Sequence, residues 1–328
     1  MPFSAFSARF SRDPCGRRRR RSRLIAGAAL LATSLVTGSA SATAATADSG
    51  YGHTHYYLSL GNSLAAGYQP DVGHDVPGVS YADQLYARLK AKDPSLVHVN
   101  LACSGETTTT MINGGVCTYN DAASQLDAAV AFLKHHRDRV TLVTLDIGAN
   151  DVDGCVTDGT IDQTCINQGL ATVDHNIPSI THALRAAGGR YPQYIGMTYY
   201  DPFLAAWLTG PSGQALARVS VQLTDTFNDI LARGMHQNRF RIADVARAFE
   251  TDQFSPLVNL PPFGELPVNV ANICRLTWEC TPFHDVHANP QGQAVIATVF
   301  QDVLFRDSKV RDFAAAANHT NISAAQSR

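Results

Sequence analysis

The sequence is poor in charge: Asp, Glu, Lys and Arg make up only 16% of its 328 residues, against 45% hydrophobic. That balance excludes a highly charged disordered chain and supplies ample apolar material for a core. No tract rich in Ser, Gly or Pro interrupts the middle, and neither a charge run nor an internal repeat is visible there. A tandem array or a solenoid is therefore not expected, although the length allows one large domain or two small ones. No C-x-x-C pair occurs, which removes the commonest zinc-binding spacing. The uncharged apolar run from Leu24 to Val36 is too short to span a bilayer.

That run belongs to a distinct N-terminal segment. Arg17 to Arg21 and Arg23 precede it, and the small-residue patterns Ala40-Ser41-Ala42 and Ala42-Thr43-Ala44 follow it. Positive, apolar, then A-x-A is the layout of a secretory signal peptide, here residues 1–42. The export route stays open, since Arg20-Arg21-Ser22-Arg23-Leu24 matches a twin-arginine signal poorly. Eight of the 26 basic and one of the 28 acidic residues fall in this segment, so the remainder carries eighteen against twenty-seven, a formal net of −9. An acidic chain repels a phosphate backbone, and nucleic acid is not expected as a partner.

Cys15 leaves with the signal peptide, and six cysteines remain. An even number in an exported chain implies disulfides, with fifteen possible connectivities. Sequence neighbours give the simplest set: Cys103–Cys117, Cys155–Cys165 and Cys274–Cys280. Metal is not expected. The His53/His55 pair lacks a third ligand nearby, and Asp151, Asp153 and Asp158 miss the EF-hand spacing.

Strand-like runs alternate with helical patterns. Strands are predicted at Tyr56–Leu60, Val97–Leu101, Thr141–Ile147, Tyr194–Tyr200 and Phe240–Ala243. Apolar residues at helical spacing predict helices over Tyr81–Ala91, Ala123–His136, Ile166–Ala187 and Gln214–Arg233. Asn289-Pro290 reads as the N-cap and first turn of a last helix reaching about Phe305. Such alternation predicts an α/β fold, a mostly parallel sheet covered by helices on both faces. Ligand sites in such sheets lie beyond the carboxyl ends of the strands. Residues 251–286, rich in Pro, Asn and Phe, do not alternate and read as a long loop over the site. The tail from 307 to 328, with its sequons at Asn318 and Asn321, reads as loosely held.

Four polar blocks stand where those strands end or a helix begins: Gly61-Asn62-Ser63-Leu64, Cys103-Ser104-Gly105-Glu106, Gly148-Ala149-Asn150-Asp151, and His284-Asp285-Val286-His287. A serine after a glycine is common in turns, so the first block alone carries little. In this order and spacing the four resemble the sequence blocks of the SGNH (GDSL-like) hydrolases, from about Tyr56 to Phe300. The resemblance implies one hydrolase domain over residues 50–306, a three-layer α/β/α fold with a flavodoxin-like five-stranded sheet, and hydrolysis of esters or thioesters without a cofactor. It implies Ser63 as nucleophile, His287 as its base, and an oxyanion hole made by the Ser63 and Gly105 backbone N–H groups and the Asn150 side chain. The chain departs from the family at Asn62, where Asp is usual. It departs again before His287: many members place Asp three residues ahead, where His284 stands, and Asp285 is two ahead. Either Asp285 or a backbone carbonyl would then orient the imidazole. Tyr199 to Phe203 fit an acyl pocket or a core turn equally. A lipid or small-molecule ester is the expected partner of a secreted, monomeric chain with no membrane span once processed. The rival readings are a binding protein on the same scaffold and an acyltransferase using the same serine.

Overall fold

The computed structural model describes residues 54–157 and 160–306. The expected signal segment, Cys15, His53, Asp158 and the C-terminal tail with its sequons lie outside these.

Five strands form the central sheet: β1 (His55–Gly61), β2 (Leu96–Asn100), β3 (Val140–Asp146), β4 (Gln193–Met197) and β5 (Arg241–Ala243). Their order is β2-β1-β3-β4-β5, and every neighbouring pair is parallel. This is the doubly wound order in which the chain leaves β1 in one direction and returns to its other side, creating a switch point between β1 and β3. The strand sequences explain their places. β1 is buried without a break from Tyr57 to Gly61, and β3 from Leu142 to Asp146, as strands covered on both faces must be. Edge strand β2 exposes Val97.

The helices start where the sequence offers caps. Ser80 accepts a hydrogen bond from Asp83 N at the head of α1 (Tyr81–Lys90), and Ser124 does the same for Asp127 N at α2 (Gln125–His135). Asp162 caps α3 (Gln163–Gly188). Each such cap is worth about 1 kcal/mol. Gly189, at φ +71°, ends α3, and α4 runs over Pro211–Gln237. The helices α2, α3 and α4 lie against one another in sequence order. α1 instead meets the last helix, residues 290–306, through Tyr81 stacked on Phe300 at 4.7 Å. The strands match their predicted positions closely, except that β4 stops at Met197, after which Thr198 N still bonds Ala243 O of β5 and Tyr199 and Tyr200 lie outside the strand.

Residues 251–286 correct the sequence reading. They hold an antiparallel hairpin, Leu257–Leu260 with Gly264–Pro267, then helix α5 (Val268–Leu276), then the strand pair Thr277–Trp278 with Asp285–Ala288. The hairpin turns through Pro261-Pro262-Phe263 rather than a glycine dipeptide, and α5 starts at Pro267 with no side-chain cap. Neither carries the usual sequence signal. The hydrophobic face of α5, with Val270, Ala271 and Ile273 fully buried, holds the segment to the domain as structure rather than loop.

Candidate active site

β1 ends in Gly61, whose φ of +141° brings its Cα against Asp146 of β3. A Cβ there would collide with the carbonyl and carboxyl oxygens of Asp146, so only glycine fits. Asn62 follows with extended backbone, its N–H bonded to Asp146 O at 3.0 Å. Its side-chain oxygen accepts from Leu64 N at 3.1 Å and caps the helical turn Ser63–Ala66. Its amide nitrogen donates to Tyr199 Oη at 3.1 Å. The amide in place of the family's carboxylate thus has a physical account. Asp146 is fully buried, and burial holds its carboxyl well above the usual range despite a 2.6 Å hydrogen bond from Tyr81. With Asn62 N 3.4 Å from Asp146 Oδ2, a carboxyl at position 62 would add charge beside a buried acid, whereas Asn62 caps and donates without adding charge.

This capped turn sets Ser63 at the first helical position, 7% exposed. His287 Nε2 lies 2.7 Å from its Oγ. His287 comes from the short strand Asp285–Ala288, held to Thr277–Trp278, with the Tyr68 ring 4.7 Å away. Asp285 Oδ1 is 2.6 Å from His287 Nδ1 and accepts the His287 backbone N–H at 2.9 Å. That i to i+2 bond is an Asx turn, and it explains how a carboxylate only two residues upstream reaches the ring. Burial alone would raise the Asp285 carboxyl, but the bonds and charge of His287 outweigh it and its pKa is lowered. His284, at the family's usual Asp position, turns away at φ +46° and bonds Glu279 O.

Gly105 occupies the third position of a turn closed by Glu106 N donating to Cys103 O at 3.1 Å, with φ +85°. This is the position of a type II turn that calls for glycine. None of the hydrogen bonds among the described residues uses the N–H of Ser63 or of Gly105. Asn150, in the 3₁₀ turn Ala149–Asp151, donates from Nδ2 to Glu106 O at 2.8 Å, leaving its second amide hydrogen. Asp151 accepts from both N and Oγ1 of Thr108 at 2.8 and 2.7 Å, tying the third block to the second. Sulfur–sulfur bonds join Cys103–Cys117, Cys155–Cys165 and Cys274–Cys280.

A cavity opens beside Ser63 and His287, with about 930 Å³ of empty space including its mouth. Val156, Ile161 and Ile166, within or just past the Cys155–Cys165 loop, form one wall; Phe203, Leu223 and Phe227 form another. Tyr199 and Tyr200 line it too, and no residue of 251–285 does. One acid, Asp153, sits in this lining, and burial pushes its carboxyl up to about 7 although His287 pulls the other way. In the sequence Asp153 stands out only as a poor metal ligand, and the roles of Asp146, Glu106 and Gln125 depend on contacts between distant segments. Among the described residues no cluster of three or more His, Cys, Asp or Glu could hold a metal ion, and no helix is long and apolar enough to cross a membrane.

Fold and site together define an α/β protein with a parallel five-stranded sheet, whose polar blocks gather beyond the carboxyl ends of the strands. Residues 59–295 match the GDSL-like Lipase/Acylhydrolase family, and the chain belongs to it. No curated protein matches the sequence. An extracellular lipase from Streptomyces rimosus superposes with a TM-score of 0.51 at 17% identity, over 76% of this chain and 99% of that one. Esterase EstA from Pseudoalteromonas sp. does so with 0.44 at 16%, over 78% and 99%, and phospholipase A1 from Streptomyces albidoflavus with 0.42 at 18%, over 60% and 82%. At 17% identity the likeness to the Streptomyces rimosus lipase is one of fold.

Proposed function

We propose that the protein is an exported carboxylic ester hydrolase working through an acyl-enzyme on Ser63. The observation that carries this reading is the continuous chain Ser63 Oγ–His287 Nε2–Asp285, at 2.7 and 2.6 Å, opening on an apolar cavity. His287 takes the Ser63 proton as Oγ attacks the ester carbonyl, and returns it to the departing alcohol; water then repeats the sequence in reverse. Asp285 holds the ring and offsets the charge of the imidazolium. The unoccupied N–H groups of Ser63 and Gly105, with the spare amide hydrogen of Asn150, supply donors for the oxyanion, where losing one donor costs about 3–4 kcal/mol. The cavity suits an aliphatic acyl group, so lipid or small alkyl esters are the substrates this reading favours. Export rests on the layout of residues 1–42 and on three disulfides in one domain.

A fluorophosphonate probe tests the nucleophile. Labelling of the wild type and not of Ser63→Ala is expected, together with turnover of p-nitrophenyl esters that rises from acetate to medium-chain acyl groups. An unlabelled wild type without esterase activity would make the protein a binding module on a hydrolase scaffold.

A further inference from the structure

Gln125 is the first residue of α2 and is fully buried, with no part in the proton-transfer chain. Its side-chain amide pairs with the backbone of Gly61 on both sides: Gly61 N donates to Oε1 at 2.7 Å, and Nε2 donates to Gly61 O at 2.9 Å. Gly61 O also accepts from Cys103 N at 3.0 Å, so the Gln125 side chain is wedged between the end of β1 and the segment that follows β2, two residues before Ser63. The second Nε2 hydrogen goes to Glu106 Oε2 at 3.1 Å. Glu106 is itself 1% exposed and follows Gly105 directly; its backbone oxygen is the acceptor for Asn150 Nδ2. Tyr119 Oη, which donates to Leu101 O at 3.0 Å, stands 3.4 Å from the same Glu106 Oε2. Glu106 Oε1 is buried with no hydrogen-bond partner. Keeping a buried oxygen unpaired costs stability, and such a group calls for an explanation beyond packing.

The geometry points to Gln125 and Glu106 as positioning residues that fix the oxyanion hole. The pair joins the three segments that carry the donors: Gly61 leads to the Ser63 N–H, Glu106 follows the Gly105 N–H, and Glu106 O holds the Asn150 amide. Neither side chain touches substrate. Their effect is to set the spacing of donors in advance, so their loss acts on the transition state more than on the bound ester, where a misplacement of about 1 Å can cost on the order of 100-fold.

This rests on the ester-hydrolase reading, and the test separates the two. Gln125→Glu is nearly isosteric but turns the Nε2 donor into an acceptor facing Glu106. Turnover of p-nitrophenyl butyrate is measured per active serine, titrated with a fluorophosphonate, so that misfolded protein does not count. The expected result is kcat lowered about 30-fold with KM within about twofold. Affinity for an alkyl trifluoromethyl ketone, to whose carbonyl Ser63 Oγ adds to give an oxyanion, falls in proportion. Adding Glu106→Gln to Gln125→Glu restores a donor–acceptor pair between the two positions and recovers about tenfold of kcat, a coupling that general loosening would not give. A kcat within threefold of wild type in Gln125→Glu, a change confined to KM, or a double variant no better than the single one overturns the proposal. A wild type that neither titrates nor turns over overturns the ester-hydrolase reading first, and this inference with it.

Discussion

The domain contains two serine–histidine–aspartate chains, only four residues apart at their serines. In one, Ser63 Oγ is 2.7 Å from His287 Nε2, and His287 Nδ1 is 2.6 Å from Asp285. In the other, Ser59 Oγ is 2.8 Å from His98 Nε2, and His98 Nδ1 is 3.4 Å from Asp83. In both, burial would raise the aspartate, but hydrogen bonds and charge together outweigh it, from His287 at Asp285 and from His98, Gly78 and Ser80 at Asp83, so both carboxyls are lowered. Yet Ser59 lies in the middle of β1, fully buried, with its backbone in register with Asn100 on one side and Thr144 on the other. His98 is sandwiched between Tyr57 and Tyr86 at 4.6 and 5.2 Å. Ser63 lies past the strand end, with an unoccupied N–H and a cavity beside it. Proton relay alone does not make a nucleophile useful; a reachable carbonyl site and idle backbone donors are also required, and in a parallel sheet both occur only beyond the strand ends.

The sharpest way to break that comparison is to remove each serine. Ser63→Ala should lower kcat/KM on the order of 10⁴- to 10⁶-fold and leave denaturant stability nearly unchanged. Ser59→Ala should leave kcat/KM within about twofold and cost about 1–3 kcal/mol in a urea melt, since it strands a buried histidine nitrogen. Turnover lost in Ser59→Ala at equal folded fraction would mean that the buried chain feeds the active one.

The aspartates give a smaller but more discriminating contrast. Asp285→Asn should lower kcat on the order of 10²- to 10⁴-fold near neutral pH, because the ring loses its orientation and counter-charge. Asp83→Asn should not. Both carboxyls titrate below their unfolded value, so the stability they contribute is present above about pH 4 and disappears as pH falls through the folded pKa. Acid unfolding followed by circular dichroism should become shallower below pH 4 in both variants, while pH–rate profiles change only in Asp285→Asn.

The sequence makes some of this visible and hides the rest for physical reasons. β1 and β3 read clearly because a doubly covered parallel strand is a continuous apolar run, and α1 and α2 because their apolar residues recur at helical spacing. The four polar blocks stand out because polar groups gather where those runs stop. Helix α5 stayed hidden behind Pro267, and the Ser59–His98–Asp83 chain could not be told from an ordinary strand and helix surface, because it depends on pairing between β1 and β2. Gln125 carries no local signal either: a glutamine in a first helical turn looks like a solvated polar residue until Gly61 is folded against it.

Access to Ser63 depends on the cavity walls, which allows a weaker test. Val156, Ile161 and Ile166 are placed by the Cys155–Cys165 bridge. Cys155→Ser with Cys165→Ser should raise KM for hexanoate and longer p-nitrophenyl esters about three- to tenfold while acetate is little affected, since a short acyl group does not reach that wall. Equal losses for all chain lengths would assign the bridge to general stability, which costs about 3 kcal/mol for a loop of this size.

The smallest expected effect concerns Asp153, the acid that lines the cavity of the active chain and has no counterpart at the buried one. Its carboxyl is raised to about 7 by burial, so it binds a proton more tightly folded than unfolded. The stability it contributes is complete below its unfolded value near 3.9 and is lost as pH rises through about 7. Asp153→Asn should therefore raise Tm most at pH 8, less at pH 5 and little below pH 4. Ionisation also places charge beside the acyl chain, so KM for medium-chain esters in the wild type should climb modestly between pH 6 and 8, more than KM for acetate, and Asp153→Asn should flatten that climb. A Tm difference independent of pH, or a KM profile unaltered by the substitution, would show that the Asp153 carboxyl is ionised throughout and solvated at the cavity mouth rather than held neutral in its wall.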